Sequence, residues 1–78
     1  MRFSVMSKDE LLEEFQRYAS GIDTQVEANS YWIRLRSHLT GEQRADLSVA
    51  WGHRGVRGNK QKLNNACDSI RKVWSEQM

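Results

Sequence analysis

Three copies of the pattern Ser/Thr-x-x-Glu/Gln divide this chain, and each precedes a stretch whose apolar residues recur at helical spacing. The copies begin at Ser7, Thr24 and Thr40. In such a capping box the hydroxyl accepts a hydrogen bond from the backbone N–H three residues on, and the Glu or Gln side chain there accepts one in return. Because each box satisfies two N–H groups that a helix start leaves unpaired, the sequence predicts three helix starts.

The apolar spacing predicts four helices, over about residues 7–19, 24–39, 41–51 and 59–76. The fourth has no capping box but the most regular spacing. There is no Pro and no alternating apolar run typical of strands. We therefore predict an all-α fold, a small single-domain bundle over residues 7–78, with residues 1–6 as an N-terminal extension. The side chains expected on the buried faces are Leu11, Leu12, Phe15, Tyr18, Ala19, Ala28, Trp32, Leu35, Leu39, Leu47, Ala50, Trp51, Leu63, Ala66, Cys67, Ile70, Val73 and Trp74.

The segment before the fourth helix contains three of the five glycines together with basic side chains: Gly52, Arg54, Gly55, Arg57, Gly58 and Lys60. In a continuous helix these glycines would cost about 2–3 kcal/mol relative to alanine, so we predict a break. Backbone N–H groups beside glycine can approach a phosphate or another anion closely. A simple helix end with solvated charges explains the same residues.

The 78 residues, 38% of them apolar, suffice for one small core near the lower limit of independent folding. Cys67 is the only cysteine, which excludes an internal disulfide and a zinc site with several cysteine ligands. No apolar run approaches the ~20 residues needed to cross a bilayer, and no signal-type segment begins the chain. We expect a cytoplasmic protein that does not enter a membrane.

No set of reactive side chains predicts catalysis. His38 and His53 have no acidic neighbour at metal-ligand spacing, and Cys67 falls on an apolar helix face. The acidic residues of the first helix are typical of a helix N-terminus, where they compensate the helix dipole: Asp9, Glu10, Glu13 and Glu14. We expect no enzyme activity, no metal and no cofactor.

Charge is distributed unevenly along the chain. Residues 1–30 hold three basic and six acidic side chains, which gives −3, and residues 31–78 hold nine basic and four acidic ones, which gives +5. Such asymmetry favours an acidic surface for a basic protein and a basic surface for nucleic acid. Association of two copies through the same opposite charges, as in a homodimer, is an alternative explanation.

Between residues 39 and 63 the chain holds, at native spacing, Leu39-Thr40, Ala45, Leu47, Ala50, His53-Arg54 and Lys62-Leu63. Upstream it holds Ser7-Lys8, Glu10, Leu12, Phe15, Arg17 and Ile22-Asp23-Thr24, and near its end Val73-Trp74. In these residues it resembles the Hha/YmoA family of small enterobacterial nucleoid-associated regulators. The likeness needs small insertions before Ile22, within the second helix and before Val73. Gly52 stands where the family typically has Asp, and Gly55 and Gly58 fall where its third helix continues.

This resemblance implies a non-enzymatic modulator of transcription. Members of the family bind the N-terminal dimerisation region of H-NS-type proteins through acidic residues, and add basic surface that strengthens a repressive filament on DNA. Asp23 and Glu27 match the acidic positions. Each phosphate neutralised adds salt-dependent, sequence-independent affinity, so the protein alone should bind DNA weakly. The DNA-facing charge would come from Arg34, Arg36, Arg54, Arg57, Lys60 and Lys62.

Two other functions fit the same sequence. The segment from Asp46 to Gly55 followed by a polar, basic helix has the outline of a helix-turn-helix, which would present Asn59, Lys60, Lys62 and Asn64 to a DNA groove. A small phage- or plasmid-encoded inhibitor or adaptor that binds a host protein would also be short, asymmetric in charge and rich in tryptophan.

Overall fold

The computed structural model describes residues 6–52 and 60–77. In these residues it contains four α-helices and no strand: α1 Lys8–Ala19, α2 Gln25–Leu35, α3 Gly41–Gly52 and α4 Lys60–Glu76. The predicted all-α class with four helices is therefore confirmed. Contacts group the chain into two units, Met1–Leu39 and Thr40–Met78, each described by itself below. The single domain over residues 7–78 stays a prediction.

The capping box predicted at the start of α1 is confirmed. The backbone N–H of Ser7 donates to Oε1 of Glu10 at 3.1 Å, and the backbone N–H of Glu10 donates to Oγ of Ser7 at 3.2 Å. The helix ends at Ala19, where the Ser20 hydroxyl donates to the Gln16 carbonyl at 2.8 Å. Four residues of α1 are buried: Leu11, Leu12, Phe15 and Ala19.

The capping box predicted at Thr24 is wrong. The Thr24 side chain makes no bond to the start of α2; instead its hydroxyl donates to the Tyr18 carbonyl of α1 at 2.6 Å. The next side chain, Gln25, donates from Nε2 to the carbonyls of Ala19, at 3.2 Å, and of Gly21. The last carbonyls of a helix have no partner within it, so they compete for nearby donors. In the short connection between α1 and α2, a carbonyl at the end of α1 therefore accepts the Thr24 hydroxyl that the pattern assigned to α2.

The buried face of α2 differs from the predicted one at a single position, where Tyr31 is buried in place of Trp32. Tyr31 is only 5% exposed and stacks on Tyr18, with ring centroids 5.5 Å apart and an angle of 9° between the planes. Trp32, predicted to be buried, is half-buried at the flank, 5.5 Å from the ring of Phe15. Ala28 and Leu35 are buried as predicted. Both aromatic residues fit an amphipathic pattern, and each contacts an aromatic ring of α1.

The second helix also ends earlier than the predicted residue 39. After Leu35 the chain forms a 3₁₀ turn over Arg36–His38, and Leu39 is buried with an extended backbone. The Ser37 hydroxyl donates to the Arg34 carbonyl at 3.0 Å, which satisfies one of the carbonyls left open at the helix end.

In the second unit the capping box at Thr40 is confirmed. The backbone N–H of Thr40 donates to Oε1 of Gln43 at 2.9 Å, and the backbone N–H of Gln43 donates to Oγ1 of Thr40 at 3.1 Å. Helices α3 and α4 contact each other. Their buried residues are Leu47, Ala50, Leu63, Cys67, Ile70 and Trp74.

The predicted apolar faces of α3 and α4 are wider than the buried ones. Trp51 and Ala66 are half-buried, and Val73 is 39% exposed. The predicted break at Gly55 and Gly58, the predicted helix start at Asn59 and the extension before Met6 lie outside the described residues. Gly52 itself belongs to α3.

Candidate functional site

The acidic candidate Asp23 lies in the turn before α2, and the acidic candidate Glu27 lies at the beginning of α2. Asp23 is exposed, and Glu27 is half-buried in the first turn of the helix. Beside them are two apolar side chains with few contacts: Ile22 is 90% exposed and Val26 is 78% exposed. The structure therefore combines the predicted carboxylates with apolar side chains whose exposure the sequence analysis missed.

The turn that carries Ile22 and Asp23 is held at both ends. Thr24 and Gln25 bond to carbonyls at the end of α1, so the turn returns to that helix directly after its two exposed residues. The turn needs Gly21, because a Cβ atom there would collide with Oγ1 of Thr24. A fixed turn loses little conformational freedom when a partner binds its exposed side chains.

The solvent-facing side of α2 continues the apolar surface. Ile33 is 45% exposed and follows Val26 by seven residues, two helical turns along the same side. This side is opposite the buried residues Ala28 and Leu35. We call Ile22, Asp23, Val26 and Ile33 the α2 outer face. Its sequence signal is a second set of apolar residues at helical spacing, opposite the set expected in the core.

Glu27 borders this face and has an unsatisfied carboxylate oxygen. Its Oε2 atom is buried and has no hydrogen-bond partner within the described residues. Since Thr24 does not form the predicted box, Glu27 does not accept the backbone bond that a box would provide. A buried acceptor without a donor is unfavourable.

The basic candidates fall into separate pairs. Arg34 and Arg36 are exposed around the end of α2, and Lys60 and Lys62 are exposed in the first turn of α4. Residues two apart on a helix point to different sides, so neither pair forms a compact cluster. Arg54 and Arg57 lie outside the described residues. Each unit thus has exposed basic side chains, and these described side chains do not form a compact basic patch.

The described residues offer little reactive chemistry. Across residues 6–52 and 60–77, no three His, Cys, Asp or Glu side chains are grouped to hold a metal ion. Burial raises the pKa of the Cys67 thiol to about 12, with the negative charge of Asp68 adding to the effect and Arg71 opposing it. A thiol with this pKa is protonated at neutral pH and unreactive as a nucleophile. His38 is exposed in the 3₁₀ turn, and His53 lies outside the described residues.

Comparison with protein-family models, with curated proteins and with solved structures yields no match. The likeness to the Hha/YmoA family therefore rests on the residues quoted above. Within the described residues, no helix is both long and apolar enough to cross a membrane.

Proposed function

We propose that this protein is a non-enzymatic modulator of transcription that binds an H-NS-type nucleoid protein through the α2 outer face and Glu27. The observation that carries the proposal is the exposure of Ile22 and Val26 directly beside Asp23. Exposed apolar side chains on a fixed turn are suited to anchor a protein interface, because their burial supplies most of the binding energy. The neighbouring carboxylates select a partner with a basic surface.

Charge on the whole N-terminal part supports the same partner class. Residues 1–30 carry three basic and six acidic side chains. Of the exposed or half-buried acidic groups there, Glu14 pairs with Arg17 at 3.4 Å, whereas Asp23 forms no ion pair with a described residue. Negative charge around an interface speeds the encounter with a basic protein and suppresses acidic competitors.

The basic positions would act on DNA once the partner has bound. Arg34, Arg36, Lys60 and Lys62 are exposed, and Arg54 and Arg57 add to them by sequence. A few separated cations give weak and salt-dependent DNA affinity by themselves. When a partner holds the protein on DNA, the same contacts become intramolecular and strengthen the complex.

The helix-turn-helix alternative receives less support from the second unit. The start of α3 and residues 66–73 of α4 border a common groove, so the two helices pack on each other. Lys60 and Lys62 are exposed, but Asn64 is half-buried and Asn59 lies outside the described residues.

The proposal is tested by titrating the labelled protein with the N-terminal dimerisation fragment of an H-NS-type protein and measuring fluorescence anisotropy. We expect a stoichiometric complex that Ile22→Ser weakens roughly tenfold, because it removes a central apolar anchor. The double variant Asp23→Asn, Glu27→Gln should weaken it by a similar factor. Two variants outside the proposed surface are controls. Val49→Ser removes an exposed apolar side chain, as Ile22→Ser does, and Glu13→Gln removes an exposed negative charge, as the acidic variant does.

A parallel titration with duplex DNA separates the alternatives. Tight, sequence-selective DNA binding by the protein alone would replace the proposal with direct DNA recognition. Absence of a complex with the fragment, together with weak DNA binding, would move the function to an inhibitor or adaptor of another host protein. Equal losses in the control variants would show that the α2 outer face is not the binding surface.

A further inference from the structure

The second unit contains a groove that the proposed function does not use. It has a volume of about 350 Å³ and lies between the start of α3 and the middle of α4. Ala66, Ile70 and Val73 contribute its apolar side, and Glu42 and Asp46 of α3 contribute carboxylates. All the residues that border it belong to Thr40–Met78.

Charge in this unit is distributed unevenly around the groove. Residues 40–78 contain seven basic and four acidic side chains, yet the groove is bordered by two of the four acidic ones and by no described basic one. Neither Glu42 nor Asp46 forms an ion pair with another described residue, whereas Asp68 pairs with Arg71 at 3.2 Å. The groove is therefore a locally negative region in a unit whose net charge is positive.

The apolar side of the groove is open to a partner. Val73 is 39% exposed, and Ala66, two turns earlier on α4, is half-buried. On α3 the row of Glu42 and Asp46 continues to Val49, which is 58% exposed and three residues beyond Asp46. The apolar surface thus extends along the helix pair beyond the groove itself.

From this arrangement we infer that the groove binds a short amphipathic helix of a partner protein, with apolar side chains on one face and Lys or Arg on the flanks. Two packed helices leave between them a furrow that a third helix fills with side chains one turn apart. A volume of 350 Å³ is at the small end of ligand pockets, so it accepts anchoring side chains rather than a whole large ligand. The flanking cations complement Glu42 and Asp46.

The test uses the full chain and two labelled helical peptides. They share one apolar face of leucines at i, i+4 and i+7, and carry either lysines or glutamates on the flanks. We expect the lysine peptide to bind with one-to-one stoichiometry, at least roughly tenfold more tightly than the glutamate peptide, and less tightly as ionic strength rises. Equal affinity for the two peptides, or no binding of either, would overturn the proposal.

Variants locate the binding on the protein. Ala66→Leu fills the groove with a side chain that favours helix, and the pair Glu42→Gln, Asp46→Asn removes its charge. We expect each to weaken the lysine peptide roughly tenfold, with helix content unchanged by circular dichroism. Ile22→Ser should leave peptide binding unaltered. This control separates the two proposals, because we expect Ile22→Ser to weaken binding of the H-NS-type fragment and Ala66→Leu to leave that binding unchanged.

Two results would contradict the assignment of the groove. Unchanged peptide binding by Ala66→Leu would place the peptide elsewhere on the protein. A dimer in sedimentation that Ala66→Leu converts to a monomer would show that a second copy of the chain, rather than a partner helix, occupies the groove.

Discussion

At the scale of single residues, Cys67 links stability to alkaline pH. Its pKa is raised to about 12 from an ordinary value of 9.0, chiefly because burial removes the thiolate from water. The folded state therefore holds the proton more tightly than the unfolded state. This contribution is fully present below about pH 9 and is lost as pH rises towards 12. Burial, and then the negative charge of Glu14, raise the pKa of Tyr31, so Tyr31 acts in the same direction.

We predict that the free energy of unfolding falls by about 2 kcal/mol between pH 9 and about pH 11 because of Cys67 alone. Urea unfolding followed by circular dichroism at each pH measures it. Cys67→Ala should show a shallower decline, and Tyr31→Phe should remove a further part while keeping the aromatic ring. The same decline in wild type and Cys67→Ala would contradict the assignment.

Gly21 has no Cβ atom, and this lets the Thr24 side chain lie close to its backbone. Substituting alanine should displace the Thr24 hydroxyl from the Tyr18 carbonyl, because the new Cβ occupies its space. We predict that Gly21→Ala destabilises the protein by about 1 kcal/mol, the net value of a hydrogen bond, as measured by urea unfolding. In a Thr24→Ala background the same change should be neutral or stabilising. An equal cost in both backgrounds would exclude this mechanism.

At the scale of elements, the sequence predicts helices better than it predicts their ends. The capping boxes at Ser7 and Thr40 form, and in each the hydroxyl accepts a backbone N–H of its own helix. Thr24 has two possible sets of partners, and the end of α1 takes its hydroxyl. A local pattern could not reveal this, since it ignores the unsatisfied carbonyls of the preceding helix.

The same limit applies to the candidate site. Asp23 and Glu27 are predicted from the sequence through the family resemblance, and their role in binding stays a prediction. The exposure of Ile22 and Val26 could not be predicted, because an apolar side chain is exposed or buried according to which neighbouring helix covers it. Tyr31 and Trp32 show the same dependence: both contact aromatic rings of α1, and only Tyr31 is buried.

The difference between the capping boxes predicts different costs for the same substitution. Glu10→Ala removes a bond to the Ser7 backbone and should cost about 0.5–1 kcal/mol. Glu27→Ala occupies the equivalent helix position without such a bond, and removes a buried oxygen that has no described partner. We expect it to be neutral or stabilising in urea unfolding. A cost equal to that of Glu10→Ala would show that the box at Thr24 forms in solution.

At the scale of the whole molecule, the opposite charges of the two parts of the chain are expected to act on different partners. The α2 outer face and Glu27 would bind protein, whereas the basic positions would act only through phosphates. Each phosphate contact releases nearly one counterion, so neutralising two cations should lower the slope of log affinity against log salt by about 1 where one of them contacts DNA, and by about 2 where both do.

We therefore predict that Lys60→Ala with Lys62→Ala flattens the salt dependence of DNA binding by the complex and leaves binding of the H-NS-type fragment unchanged. Asp23→Asn with Glu27→Gln should have the opposite effects. It should weaken binding of the fragment and leave the salt dependence of the remaining DNA binding unchanged. Anisotropy with labelled DNA and labelled fragment measures both. If the lysine pair weakened the fragment as strongly as the acidic pair, the two charge sets would serve one surface and the division of roles would be wrong.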